Sequence, residues 1–156
     1  MNTDFTIRTA RQSDASEIKE LFQNTVLTVN RQNYSQEEVE DWASCGKVAR
    51  IEEMIKTHYF IVAVNQQMQI AGFSSITPQG YLHSMFVHKD FQGKGVATAL
   101  LSEIEQYADT AGIKRITSEV SLTARPFFEK RGFVVEKEQK AKANKLFLTN
   151  FQMAKG

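Results

Sequence analysis

The stretch "DFQGKGVATALL", residues 90–101, constrains the fold more than any other, because a glycine-spaced basic turn runs without a break into a helical apolar pattern. The segment before it, "GYLHSMFVH" (80–88), reads as a strand. Beyond Gly95, Val96, Leu100, Ile104, Tyr107, Ala108 and Ala111 recur at the three-or-four spacing of one helix face, and Gly112 stops it. A strand must therefore hand over to a helix within a few residues. Glycines there let backbone amides approach a ligand, and the first helical turn carries unpaired N–H groups with a partial positive charge. Such a turn suits an anion, phosphate above all, with Lys94 adding a point charge. By spacing alone a tight turn holding nothing is an equal reading. The stretch lacks the Gly-Lys-Ser/Thr ending of a P-loop, and the Gly-x-Gly-x-x-Gly spacing of dinucleotide sites is not met.

The rest of the chain supplies partners for that unit. "FTIRTA" (5–10), "YFIVAV" (59–64), "IAGFSSI" (70–76), "RITSEV" (115–120), "FVVEKE" (133–138) and "KLFLTNFQM" (145–153) read as further strands, 59–64 and 70–76 forming an antiparallel hairpin around "NQQMQ". Helices are expected after Ser13 or Asp14, from Ser35, where "SQEE" has capping-box spacing, over 48–57, and within "TARPFFEKRG", with Pro126 in its first turn. The order β, helices, β, β, β, α, β, α, β, β implies an α/β (α+β mixed) domain. At 156 residues this is one domain, 1–156. A net charge of +1 argues against nucleic acid, and the lysine-rich "EKEQKAKANK" (136–145) reads as a solvated turn. No apolar run is long enough for a membrane span, and a single cysteine, Cys45, read as a passive thiol, suits a reduced, cytoplasmic setting. No metal site is expected.

"MFVHKDFQGKGVATALL" resembles the cofactor signature of the Gcn5-related N-acetyltransferase (GNAT) superfamily, Gln/Arg-x-x-Gly-x-Gly/Ala, through Gln92, Gly95 and Ala97. About 20 residues after that helix the family has a second signature, Asn-x-x-Ala-x-x-x-Tyr-Glu-Lys-x-Gly-Phe. "SLTARPFFEKRGF" (121–133) is similar to it, with Ala124, Glu129, Lys130, Gly132 and Phe133 matching. The resemblance covers nearly the whole chain and implies the GNAT fold, a central mixed, largely antiparallel sheet of about six to seven strands flanked by helices. It implies acetyl-CoA as cofactor and a small-molecule or peptide amine as acceptor, and it is compatible with a homodimer. Backbone groups of Met85, Phe86 and Val87 would then hold the pantetheine arm. Gln92, Gly93, Lys94, Gly95, Val96, Ala97 and Thr98 would cradle the pyrophosphate. Ser121 stands at the Asn position and Phe128 at the tyrosine position beside the cofactor.

Acetyl transfer to an amine asks for a neutral amine, a donor for the growing oxyanion and a fate for the thiolate. A strand amide near Met85 or Phe86 suits the oxyanion. His83, two residues before Met85, is the candidate base, with Glu119 on the following strand as the second; their plain readings are a structural histidine and a surface carboxylate. His58 and His88 read as ordinary surface or strand-end residues. Phe128 breaks the pattern, since phenylalanine cannot protonate a leaving thiolate; a thiol of pKa near 8.5 leaves tolerably unaided, and Tyr34, Tyr81 or water are substitutes. The acceptor site is expected from 30–47, where Tyr34 and Trp42 stand among Glu37, Glu38, Glu40 and Asp41. Those acids either attract a cationic amine or form the solvent face of a helix whose core contact is Trp42. The expected activity is acetyl-CoA-dependent N-acetyl transfer by direct attack. The alternatives are an acyl-CoA sensor without turnover, motivated by Phe128 and Ser121, and an interaction domain with an empty turn.

Overall fold

A computed structural model describes residues 4–156. Strands β1 (Thr6–Thr9), β2 (Tyr59–Val64), β3 (Ile70–Ile76), β4 (Tyr81–Val87), β5 (Ile116–Ser121), β6 (Val134–Lys142) and β7 (Phe147–Lys155) form one seven-stranded sheet in the order β1-β2-β3-β4-β5-β7-β6. All neighbours are antiparallel except β4 and β5. Helices α1 (Ala15–Thr28), α2 (Gln36–Ala43) and α3 (Val48–Thr57) lie between β1 and β2, α4 (Val96–Thr110) between β4 and β5, and α5 (Arg125–Lys130) between β5 and β6. The expected mixed, largely antiparallel sheet flanked by helices is the observed architecture. Among the described residues no helix is long and apolar enough to cross a membrane.

Both faces of the middle strands are covered, which explains why "YFIVAV" is apolar throughout rather than alternating. Ile61 and Ala63 join Leu100 and Ile104 of α4 on one face. Phe60, Val62 and Val64 join Ile18 and Leu21 of α1 and Ile51 of α3 on the other. A smaller cluster of Val26, Tyr34, Val39, Ala43 and Leu148 closes α1 and α2 over β7. The Ser35 capping box is present: the Glu38 amide donates to Ser35 Oγ, and the Ser35 amide to Glu38 Oε1.

One expected boundary is wrong. The lysine-rich stretch is not a turn from 136 to 145: β6 runs on to Lys142, paired with Phe147, and only the tip beyond it turns. At the sheet edge a strand needs no apolar pattern, and Lys137, Lys140 and Lys142 guard that edge against further pairing. The tip is held from across the molecule: Asp41 accepts hydrogen bonds from the backbone amides of Asn144 (2.9 Å), Lys145 (3.0 Å) and Leu146 (3.0 Å).

Candidate active site

The sheet forks. Strands β4 and β5 pair only at Tyr81 with Thr117 and at Leu82 with Ser118, where Ser118 Oγ also donates to Leu82 O. Beyond that point β4 follows β3 alone. The divergence begins at His83, which is an extra residue in the ladder to β3: Ser75 faces Ser84, but Ile76 faces Leu82. A bulge of this kind bends a strand and re-aims a side chain.

The register fixes which backbone groups face the gap. The His88 amide donates to Ala71 O, so alternation along an antiparallel ladder assigns Phe86 and Ser84 to β3 and turns Met85 and Val87 toward β5. Phe86 therefore lacks the free amide expected of it, and Met85 is left as the donor near the fork. The Val87 carbonyl is already occupied, accepting from Thr25 Oγ1 (3.0 Å) and Gln92 Nε2 (2.7 Å). The Gln92 side chain thus ties the turn to the strand end.

The turn delivers α4 to the open end of the fork. Gly95 caps the helix in the left-handed conformation (φ +82°), which a branched residue adopts only under strain, and no side chain caps the first-turn amides. Gly72 of β3 permits the approach, since a Cβ there would stand 2.8 Å from Val96 and 3.0 Å from Phe86 O. Just past α5, Arg131 Nη2 donates to Thr98 Oγ1 (2.7 Å), bringing a cation to the start of α4 that no spacing rule reveals.

A cavity of about 580 Å³ runs from this turn through the fork to the far side of the sheet. Its wall includes Met85, Val87, Gln92, Gly93, Gly95, Val96, Ala97 and Thr98 at one end, and Trp42, Cys45, Lys47, Arg50, His83 and Glu119 at the other. The structure therefore brings the cofactor-site and base candidates into one space. Burial, then the neighbouring His58, then Arg50, push the His83 imidazole down to about 4, so it is uncharged at neutral pH. Its Nδ1 is buried without a hydrogen-bond partner, as is Oγ1 of Thr123, which also lines the cavity. His58, expected to be incidental, lies ring to ring 5.4 Å from His83. Glu119 projects into the cavity from β5.

Other candidates have structural partners. Tyr34 is buried; its hydroxyl donates to Thr149 O (2.6 Å) and accepts from the Leu122 amide (2.9 Å), so it braces the fork rather than standing ready as an acid. Trp42 lines the cavity while packing edge-on against Phe22, Tyr34 and Phe86, the core contact of the plainer reading. Ser121 Oγ accepts from the Ala124 amide at the entry to α5. Phe128 is 3% exposed, edge-on to Phe127 and Phe133, and offers the cavity only ring carbon. Tyr81, close to His83, is pushed up to about 12 by burial and then by Glu119, and so keeps its proton. Burial raises the Cys45 thiol, in keeping with a passive thiol.

The acidic patch is largely dismantled. Asp41 faces the hairpin tip, Glu38 closes the capping box, and the cavity wall includes neither, nor Glu37 or Glu40. Lys47 and Arg50, which lay outside the expected site or at its margin, take their place.

A family model described as an acetyltransferase (GNAT) domain matches residues 30–155. The uncharacterized N-acetyltransferase YafP of Escherichia coli (strain K12) is 29% identical over 147 residues, 94% of this chain and 93% of its own. The structure is similar, at a TM-score of 0.94 and 25% identity, to the GCN5-related N-acetyltransferase "Aminotransferase, Class-II" from Rhodopseudomonas palustris, covering 100% of this chain and 98% of that one. The fold is shared, at a TM-score of 0.80 and 19% identity over 99% of both chains, with a PaiA N-acetyltransferase from Thermoplasma acidophilum in complex with coenzyme A.

Proposed function

The chain belongs to the GNAT family of acetyltransferases, and on that footing we propose that it transfers an acetyl group from acetyl-CoA to a primary amine by direct attack within one ternary complex. The observation that carries this reading is the fork. It leaves backbone groups of Met85 and Val87 facing a gap that opens, at one end, on uncapped helix amides and, at the other, on His83 and Glu119.

Acetyl-CoA supplies an acyl carbon activated as a thioester. The residues present fit it: uncapped amides of Val96, Ala97 and Thr98, the glycine turn and Arg131 suit a pyrophosphate, and β4 offers a hydrogen-bonding edge to an amide-bearing arm. The Met85 amide polarises the carbonyl oxygen on which charge grows during attack. His83, uncharged and with a free ring nitrogen, accepts the proton that the amine nitrogen sheds as its bond to carbon forms. Glu119 lies across the mouth as the second acceptor for the ammonium's first proton. As the N–C bond forms the C–S bond breaks, and the thiolate departs without a dedicated acid, because the site offers Phe128 where a phenol would stand.

Two measurements test this. Acetyl-CoA at millimolar concentration should raise the melting temperature, and thiol should be released when primary amines are added. No stabilisation would remove the cofactor, and stabilisation with no thiol release over a broad amine panel would remove the transfer.

A further inference from the structure

The acceptor end of the cavity carries the opposite charge from the one its sequence suggests. Lys47, Arg50 and Lys142 line it, against Glu119 as the one carboxylate on the wall. Arg50 forms no ion pair or hydrogen bond with another described residue, unlike Arg8, Arg115, Arg125 and Lys155, each of which pairs with a carboxylate. Glu52 and Glu53, nearest to Arg50 in sequence, are not on the cavity wall, and two acids of α2 are committed elsewhere: Asp41 to three amides of the hairpin tip, Glu38 to the Ser35 cap. The Arg50 charge is also near enough to His83 to act on its imidazole, so a group docked on this guanidinium sits beside the proposed base. Around them the wall is apolar, with Phe22, Trp42, Ile51 and Met54.

We propose that the acceptor is a free amino acid with an apolar side chain, its carboxylate held by Arg50 and Lys47 and its amine presented between His83 and Glu119. This rests on the transfer reading given above. The arrangement complements a zwitterion. A guanidinium takes a carboxylate through two parallel hydrogen bonds, Glu119 attracts the ammonium from the other strand, and the aromatic wall takes the side chain. A simple cationic amine, by contrast, would meet unpaired positive charge at the entrance.

The test compares leucine, methionine and phenylalanine with their amides and with the corresponding decarboxylated amines, at saturating acetyl-CoA. The wild-type protein should prefer the acids in kcat/KM by about tenfold to a hundredfold, the range expected for a hydrogen-bonded charge pair. In Arg50→Gln that preference should fall toward one, mainly through a higher KM for the acids, and Arg50→Lys should restore part of it. Lys47→Gln should lower it less. Arg115→Gln, which removes the partner of Glu136 well away from the cavity wall, should leave it intact. Arg50 is exposed, so the variants should keep the wild-type melting temperature. Acids that are no better than amides in the wild type, or a preference that survives loss of both Arg50 and Lys47, would overturn the inference while leaving acetyl transfer standing. No turnover of any amine would remove both, and is recognised by the absence of thiol release across the entire panel.

Discussion

At the end near Gly95 the cavity opens on main-chain amides of a glycine turn and a helix start, whereas the end near His83 brings together polar side chains from the α2–α3 junction, α3, β4 and β5. The first end presents N–H groups that every residue but proline carries, so its identity resides in backbone shape, and only a few positions enforce that shape. The second end depends on what His83, Glu119, Arg50 and Lys47 are chemically. On the proposed reading, one end specifies the acyl donor by backbone shape and the other the acceptor by side-chain chemistry.

Substitutions can pull the two ends apart. The largest effect should come from His83→Ala, which should lower kcat by about 10²-fold or more while the melting shift given by acetyl-CoA stays as in the wild type. A loss of cofactor affinity in the same variant would mean that the ends are not separable. Next, Gly95→Val forces a branched residue to φ +82°, a strain of about 1–3 kcal/mol. That should weaken acetyl-CoA binding roughly tenfold to a hundredfold, read by titration calorimetry, with the preference among acceptors unaltered. Tyr34→Phe should act on neither end directly but on the brace between them. It strands Thr149 O and the Leu122 amide, at about 1–3 kcal/mol, and at roughly 2–4 °C per kcal/mol the melting temperature should drop by several degrees.

A further effect is one of pH. His83 binds its proton less readily in the folded chain, at about 4, than its ordinary 6.5. Between those values the unfolded chain holds more protons at this group, so the stability that His83 contributes is fully present above about pH 6.5 and is lost as the pH falls toward 4. His58, lowered by burial, adds in the same direction. Melting temperatures measured across that window should fall less steeply in His83→Ala than in the wild type; an equal slope would place the acid sensitivity elsewhere.

The legibility of the sequence follows the same division. The glycine turn, the α4 stripe and the capping box are local, set by neighbours a few residues apart, and could be read directly. The fork could not, because it depends on a one-residue slip between β3 and β4 at His83 and on the early end of the ladder to β5, both matters of register between distant segments. The acidic stretch misled for a related reason: whether Asp41 faces a ligand or the hairpin tip is decided by residues 144–146, more than a hundred positions later. The extent of β6 was hidden because an edge strand exposed along most of its length shows no apolar alternation. Phe128 was legible as a departure from the family pattern, but its place in an aromatic core cluster was not.

The carboxylate of Asp41 acts as a hasp between two leaves. It fastens the C-terminal part of α2 to the β6–β7 tip, and both leaves border the cavity rim, through Trp42 on one side and Lys142 and Ala143 on the other. With the hasp shut, the two sides of that rim are tied to one another by three amide hydrogen bonds. On the proposed reading an acceptor meets dimension and charge at an opening already fastened, since parting the two leaves would first break those bonds.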